Sequence, residues 1–305
     1  MNVSETSLPL DSGAAAHIEA AQAVAPPAQF SALYAFGDSL SDAGNDYIAS
    51  FGVLPVSPPY SHGRYTNGPV WVQDLAKLLG LHTPEPSLAG GTDYAYGGAE
   101  TGQTPLHSVV PIDLPSQLAQ FAVTMGHAPS GALYTLTIGA NDVIDALPTY
   151  AVNPAAAIAD VQDAVSNEIN FIGGLAALGA HDFLVMNVPD LGVTPEQRGD
   201  AANATTLSAI YDKDLQSALG SLSALDHLNI QLLDAFTLID QVVANPAGFG
   251  FTNVTKPLWT GNYYNPFSGT YTAHGHQAAG YLFFDHLHPT ALGHLELAQV
   301  ASKLV

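Results

Sequence analysis

From about residue 32 onward, short apolar runs alternate with longer stretches in which hydrophobic residues recur every three or four positions. Five of the short runs, at 32–36, 93–96, 132–138, 183–188 and 229–233, are flanked by Gly, Pro, Asn or Asp. That is the pattern of buried parallel strands. Between them, Trp71, Leu75, Leu78 and Leu79 fall at i, i+4, i+7 and i+8, bracketed by Pro69 and Gly80, which predicts one helix. Asn153 followed by Pro154 supplies the cap and first turn of another, running towards Leu178. Pro289 is expected to open a last helix carrying Leu292, Leu295 and Val300. The alternation predicts an α/β fold: a doubly wound, five-stranded parallel sheet with helices on both faces.

No repeat or linker interrupts the alternation, so residues 30–305 are expected to form a single domain. Residues 1–29, rich in Ala, Ser and Pro and lacking periodicity, read as a poorly ordered tail. Residues 246–285 behave differently again, with 10 aromatics in 40 positions. A loop this long in a compact domain tends to be functional, and its aromatic content argues against disorder. Trp259, Tyr263, Tyr264, Phe267 and Phe283 are candidates for a substrate-binding wall, with packing of the loop onto the sheet as the competing role.

Composition narrows the function classes. The chain of 305 residues has 27 acidic and only 6 basic side chains, a formal charge of −21. Six scattered cations cannot supply the face that nucleic-acid phosphates require, and docking on anionic lipid is disfavoured for the same reason. The absence of Cys removes disulfides, thiolate nucleophiles and Cys-ligated zinc. No apolar run approaches the roughly 20 residues of a membrane helix. A secretory signal wants a basic n-region, and the first basic residue here is Arg64, so none is visible. Nothing in the sequence fixes an oligomeric state.

Four short blocks carry candidate chemistry. Gly37-Asp38-Ser39 follows the first strand, where an open parallel sheet presents ligands, and is expected to turn into a helix. Gly97-Gly98 brings a bare backbone N–H to the end of another strand, and Gly139-Ala140-Asn141-Asp142 ends a third with a side-chain amide. Asp285 and His288, spaced i, i+3, can share one side of a turn, with the carboxylate holding the imidazole. Each block alone is ordinary turn or capping chemistry. Together they supply a nucleophile, a base, an orienting acid and donors for an oxyanion.

In that order the blocks resemble the GDSL esterases and lipases of the SGNH hydrolase superfamily, across about residues 31–303. Two further stretches, from Gly63 to Trp71 and from Asn187 to Gly192, are similar to the bacterial lecithinase and haemolysin-like branch. The resemblance implies a flavodoxin-like three-layer sandwich and a serine esterase or lipase. It assigns Ser39 as nucleophile, His288 as base and then acid, and Asp285 as orienter. The oxyanion hole would be the N–H of Ser39, the N–H of Gly98 and the Asn141 side chain, with Gly97 an alternative to Gly98. The implied substrate is a small-molecule or lipid ester, with no metal and no cofactor. Secretion to the periplasm or exterior is implied for the branch. Many relatives also carry a Cys pair in the loop before the catalytic His, which this chain lacks. Some carry a membrane β-barrel after the hydrolase; with its end at Val305 the chain is expected to be a free hydrolase domain.

Three other readings compete. An acyltransferase would use the same triad. A zinc hydrolase would use His274, His276, His286 and His288, but it leaves the serine and Asn141 blocks without a role. A non-catalytic sugar-binding or adhesin domain would use the loop aromatics as its face.

Overall fold

Four of the five predicted strands pair in parallel: β1 (Leu33–Gly37), β2 (Leu133–Thr137), β3 (Asp182–Met186) and β4 (Asn229–Leu233), in that spatial order. Leu33 lies opposite Leu133, Leu133 opposite Asp182, and Asp182 opposite Asn229. The computed structural model describes residues 29–104, 112–262, 265 and 268–305. The expected tail, Gln29 apart, and the loop residues Tyr263, Tyr264 and Phe267 lie outside the described residues.

The fifth predicted strand is a correction. Residues 93–96 run parallel to β1 and bond to it (Tyr94 N to Ala35 O, 2.7 Å; Tyr96 N to Gly37 O, 3.1 Å), but they make only isolated bridges. On their outer side Ser87 N donates to Asp93 O at 2.7 Å, and Asn45 Nδ2 donates to Asp93 O at 2.8 Å and to Ala95 O at 3.0 Å. The segment still sits on the edge of β1 opposite β2. The chain therefore reverses its winding at β1, and the carboxyl ends of β1 and β2 flank the switch point where such sheets bind ligands.

Alternation along the strands explains the layers. Tyr34, Phe36, Tyr134, Leu136, Phe183 and Val185 face one core, with α3 (Leu114–Met125), α4 (Ala140–Tyr150), α5 (Pro154–Ala177) and α6 (Ala201–Asp226). Leu33, Ala35, Leu133, Leu184 and Met186 face the other, with α2 (Trp71–Leu78), α7 (Ala235–Ala244) and α8 (Ala291–Ala301). Asn153 caps α5 as expected, its side chain accepting from Ala156 N. The last helix begins later than expected. Thr290 is its cap, accepting from Gly293 N, and Pro289 stays outside, its carbonyl accepting from Thr66 Oγ1 at 2.9 Å.

The long loop is held without a disulfide. Leu258, Trp259, Tyr281 and Phe284 form a third apolar cluster with Val56 and Tyr60. Backbone bonds from Leu258 N to Phe283 O (2.9 Å) and from Trp259 N to Phe284 O (2.7 Å) tie its two arms together.

Candidate active site

The turn after β1 is set by buried polar bonds. Gly37 adopts φ +127°, and a Cβ there would lie 1.8 Å from Thr137 O, so only glycine lets β1 end this close to β2. Gln117 on α3 clamps the same residue from below, accepting from Gly37 N at 2.9 Å and donating to Gly37 O at 2.7 Å. The expected helix does not start at Ser39. The Asp38 carboxylate accepts Leu40 N at 2.9 Å and the Asp42 carboxylate accepts Gly44 N and Asn45 N, which hold residues 38–44 as turns until the short helix α1 (Asn45–Ala49).

At the far end of the chain, Asp285 accepts twice on Oδ1, from Leu287 N at 2.8 Å and His288 N at 2.7 Å. This short turn leaves Oδ2 facing His288 Nδ1 at 2.7 Å, while His288 Nε2 lies 2.8 Å from Ser39 Oγ. All three residues are buried. An ionised carboxylate only accepts, so Nδ1 carries the proton and Nε2 presents a lone pair to the Ser39 hydroxyl. Burial works against the imidazolium, but the charge and hydrogen bond of Asp285, with Asp38 and Glu196, raise His288 above its usual 6.5. Burial would also raise Asp285, and the bonds from His288 and Tyr60 bring it below the ordinary carboxylate range. Asp38 beside them is pushed up to about 7 by burial, against the pull of Leu40 N–H and His288.

Gly97 and Gly98 differ in a way the sequence hides. Gly97 N donates to Asp42 Oδ2 at 3.3 Å, and a Cβ on Gly97 would meet the Tyr65 ring at 2.2 Å. Gly98, at φ +77°, has open space around it, and its N–H meets no acceptor among the described residues. Asn141 Nδ2 donates one hydrogen to Ala99 O at 2.8 Å, leaving the other free to point elsewhere. Ser39, Gly98, Asn141 and His288 all border one open, polar basin of about 780 Å³, with Asp145, Glu196 and Thr260 on its rim. Ser39, Asn141 and His288 also border a narrow apolar crevice of about 70 Å³ running between α7 and α8, lined by Leu238, Val242, Phe251, Leu282 and Leu297.

Of the proposed aromatic wall, Phe283 lines the crevice. Trp259 does not line either cavity: it is buried edge-on to Tyr60, with ring centroids 5.3 Å apart, and stacked on Phe284. Tyr263, Tyr264 and Phe267 lie outside the described residues. The alternate histidines do not gather, and among the described residues no group of three or more His, Asp or Glu stands as a metal-ligand set. Sequence reasoning missed Gln117, Asp42, Tyr60 and Tyr65. Tyr60 Oη donates to Asp285 Oδ2 at 2.5 Å, and the Tyr65 ring lies 5.2 Å from the His288 ring.

An imidazole placed between a buried carboxylate and a serine hydroxyl can take the hydroxyl proton, and unspent N–H groups beside it can receive a developing oxyanion. Known proteins resemble the chain over most of its length. The model of the GDSL-like lipase/acylhydrolase family matches residues 33–301. A phosphatidylcholine-sterol acyltransferase of Aeromonas hydrophila is 27% identical, over 90% of this chain and 90% of that protein. The thermolabile hemolysin of Vibrio parahaemolyticus is 25% identical over 90% of this chain and 63% of its own length. The extracellular lipase of Streptomyces rimosus superposes with a TM-score of 0.44 at 17% identity, over 89% of this chain and 99% of that one. The chain belongs to the GDSL-like lipase/acylhydrolase family and is a carboxylic ester hydrolase.

Proposed function

We propose that the enzyme cleaves esters of an apolar acyl group with a polar alcohol, through an acyl-enzyme on Ser39. The observation that carries the reading is the unbroken contact from Ser39 Oγ through His288 to Asp285, at 2.8 and 2.7 Å, set where an apolar crevice meets a polar basin. Ser39 Oγ attacks the ester carbonyl carbon while His288 Nε2 takes its proton. The N–H groups of Ser39, Gly98 and Asn141 stabilise the tetrahedral oxyanion. The bond to the alcohol oxygen then breaks, and His288 returns the proton to it. Water, deprotonated by the same nitrogen, attacks the acyl carbon, releases the acid and restores Ser39.

The two cavities support a division of the substrate: acyl chain in the crevice, alcohol in the basin. Nitrophenyl esters of increasing acyl length test both parts. Ser39→Ala should abolish turnover and labelling by a phosphonate ester, and wild-type rates should rise with chain length before falling. Full turnover by Ser39→Ala would sink the mechanism; rates indifferent to chain length would sink the crevice assignment.

A second reading rests on the similarity to the acyltransferase and on the size of the basin. There the acyl-enzyme is passed to an alcohol instead of water. An ester product formed with added alcohol, at the expense of free acid, would favour transfer.

A further inference from the structure

The Asp285 carboxylate has one feature that the proposed mechanism does not use. Its Oδ2 receives two donors, His288 Nδ1 at 2.7 Å and the Tyr60 phenol at 2.5 Å. Its Oδ1 receives two backbone N–H groups. Tyr60 arrives from a segment 225 residues away in sequence. Its ring is 2% exposed and wedged edge-on against Tyr65, Trp259 and Phe284, with centroids 6.1, 5.3 and 5.0 Å away. The hydroxyl is therefore aimed by packing. A phenol pointed at a buried carboxylate oxygen competes with the imidazole for the same negative charge.

We infer that Tyr60 is a positioning residue of the triad: its phenol pins the Asp285 carboxylate from the side opposite His288 and restrains that carboxylate's pull on the Nδ1 proton. The inference rests on the assignment of Asp285 and His288 made above. Its consequence follows from charge balance. With the phenol in place, part of the Oδ2 charge is neutralised by a hydrogen bond, so the imidazolium is stabilised less than by a bare carboxylate. Without the phenol, the charge facing Nδ1 grows and His288 becomes more basic. The base must be neutral to act, so the acid limb of kcat/KM should then move to higher pH.

The other groups around His288 do not replace the phenol. Asp38, after β1, and Glu196, in the loop after β3, both act on the imidazole as negative charges, favouring its protonated form. His294 on α8 is held neutral, pushed down to about 3 by burial with His288 and Arg64 adding to it. Tyr65 presents its ring to His288 and directs its hydroxyl to Asp46 at 2.7 Å. Of the contacts described around the triad, Tyr60 is the side-chain donor that meets His288 on the same carboxylate oxygen.

The test is Tyr60→Phe, which keeps the ring and its packing and removes only the hydroxyl. The acid limb of kcat/KM on a soluble nitrophenyl ester should rise by roughly 0.5 to 1 pH unit. Above the limb, kcat should fall by about three- to thirtyfold as the carboxylate loses a restraint, with KM changed little. The downfield proton resonance of His288 Nδ1–H should also shift. 3-Fluorotyrosine at position 60, a stronger acid with the same shape, should move the limb the other way. A purely structural role would leave limb and resonance unmoved in both variants, and that result overturns the inference. Should Tyr60→Phe fold poorly, the fluorotyrosine protein decides alone. His288→Ala separates the two levels of argument. Activity that survives it refutes the triad assignment, whereas loss of activity there with an unmoved limb in the Tyr60 variants refutes only the role of the phenol.

Discussion

Replacing Asn141 with alanine separates catalytic work from structural work at one side chain. Two effects are expected, and the structure sets the size of each. Asn141 Nδ2 has two hydrogens, and one is committed to Ala99 O at 2.8 Å. Ala99 is fully buried, so removing this donor strands a carbonyl and should cost about 1–3 kcal/mol of stability. For a protein of this size that lowers the melting temperature by roughly 2–4 °C per kcal/mol. The second hydrogen is free for the oxyanion. Loss of one such donor removes roughly 100- to 1,000-fold from kcat, or about 2.7–4 kcal/mol of transition-state stabilisation. The N–H groups of Ser39 and Gly98 remain, so activity should not vanish. The assay is steady-state hydrolysis of a soluble nitrophenyl ester, run at least 15 °C below the variant's measured melting temperature, so that partial unfolding does not mimic slow chemistry. KM should stay within about threefold, because the ground-state carbonyl is a weaker acceptor than the oxyanion. A kcat reduced less than about tenfold, with the fall in melting temperature intact, would show that Asn141 only ties α4 to Ala99. A loss confined to KM would likewise refute its place in the oxyanion hole.

Three further outcomes follow from the same geometry. Leu238→Trp fills the apolar crevice beside Val242 and should cut hydrolysis of long acyl esters at least tenfold while sparing acetate esters; equal loss on both would refute the acyl-site assignment. Gly97→Ala drives a methyl into the Tyr65 ring, which lies over His288, and should lower kcat more than Gly98→Ala, where the methyl meets open space and only the positive φ is strained; the reverse ranking would count against the distinction drawn between the two glycines. Burial raises Glu168 and Asp212 to about 8 each, above their unfolded values near 4, so their stabilisation is complete at low pH and is lost as pH rises through about 8. From pH 6.5 to 8.5 this removes on the order of 2 kcal/mol per group, about 4 kcal/mol together, and scanning calorimetry should find the melting point roughly 10 °C lower at pH 8.5; a flat or rising profile would contradict it.

The parts of the site that were legible in the sequence are those whose partners are close in sequence or fixed by strand ends. Asp285 and His288 are three residues apart in a turn closed by the aspartate itself. Ser39 and Asn141 follow strands whose apolar runs are unmistakable. What escaped depends on distant side chains. Gly97 is excluded as a free donor by Asp42, and the clamp on Gly37 comes from Gln117, an ordinary polar residue of an amphipathic helix. The 93–96 run has a strand's alternation, yet on its outer side backbone meets it only at Asp93, through residues 85–87, and the distant Asn45 side chain takes Ala95 O. Aromatic density in 246–285 carries no direction. Phe283 turned to the crevice and Trp259 to the interior behind Tyr60.

The acidic bias acquires a different meaning from the same bonds. The formal −21 counts every carboxylate as ionised. Burial raises Asp38, Asp42, Asp46, Asp93, Asp142, Glu168 and Asp212 above the usual range. At neutral pH the molecule therefore carries less charge than its composition suggests. Several of these groups share a task. Asp38 accepts Leu40 N, Asp42 accepts Gly44, Asn45 and Gly97 N, Asp93 accepts Ala43 and Ala95 N, and Asp142 accepts Thr101 N. Loops at the carboxyl ends of parallel strands leave such N–H groups without ladder partners, and buried N–H groups must be met. Here carboxylates meet them, and in doing so fix the turns that present Ser39 and Gly98. Much of the acidity is thus architecture beneath the site. If the basin receives the alcohol part as proposed, the exposed carboxylates on its rim, Asp145 and Glu196, are the ones a substrate would meet, and they would disfavour a polyanionic alcohol group far more directly than the total charge does.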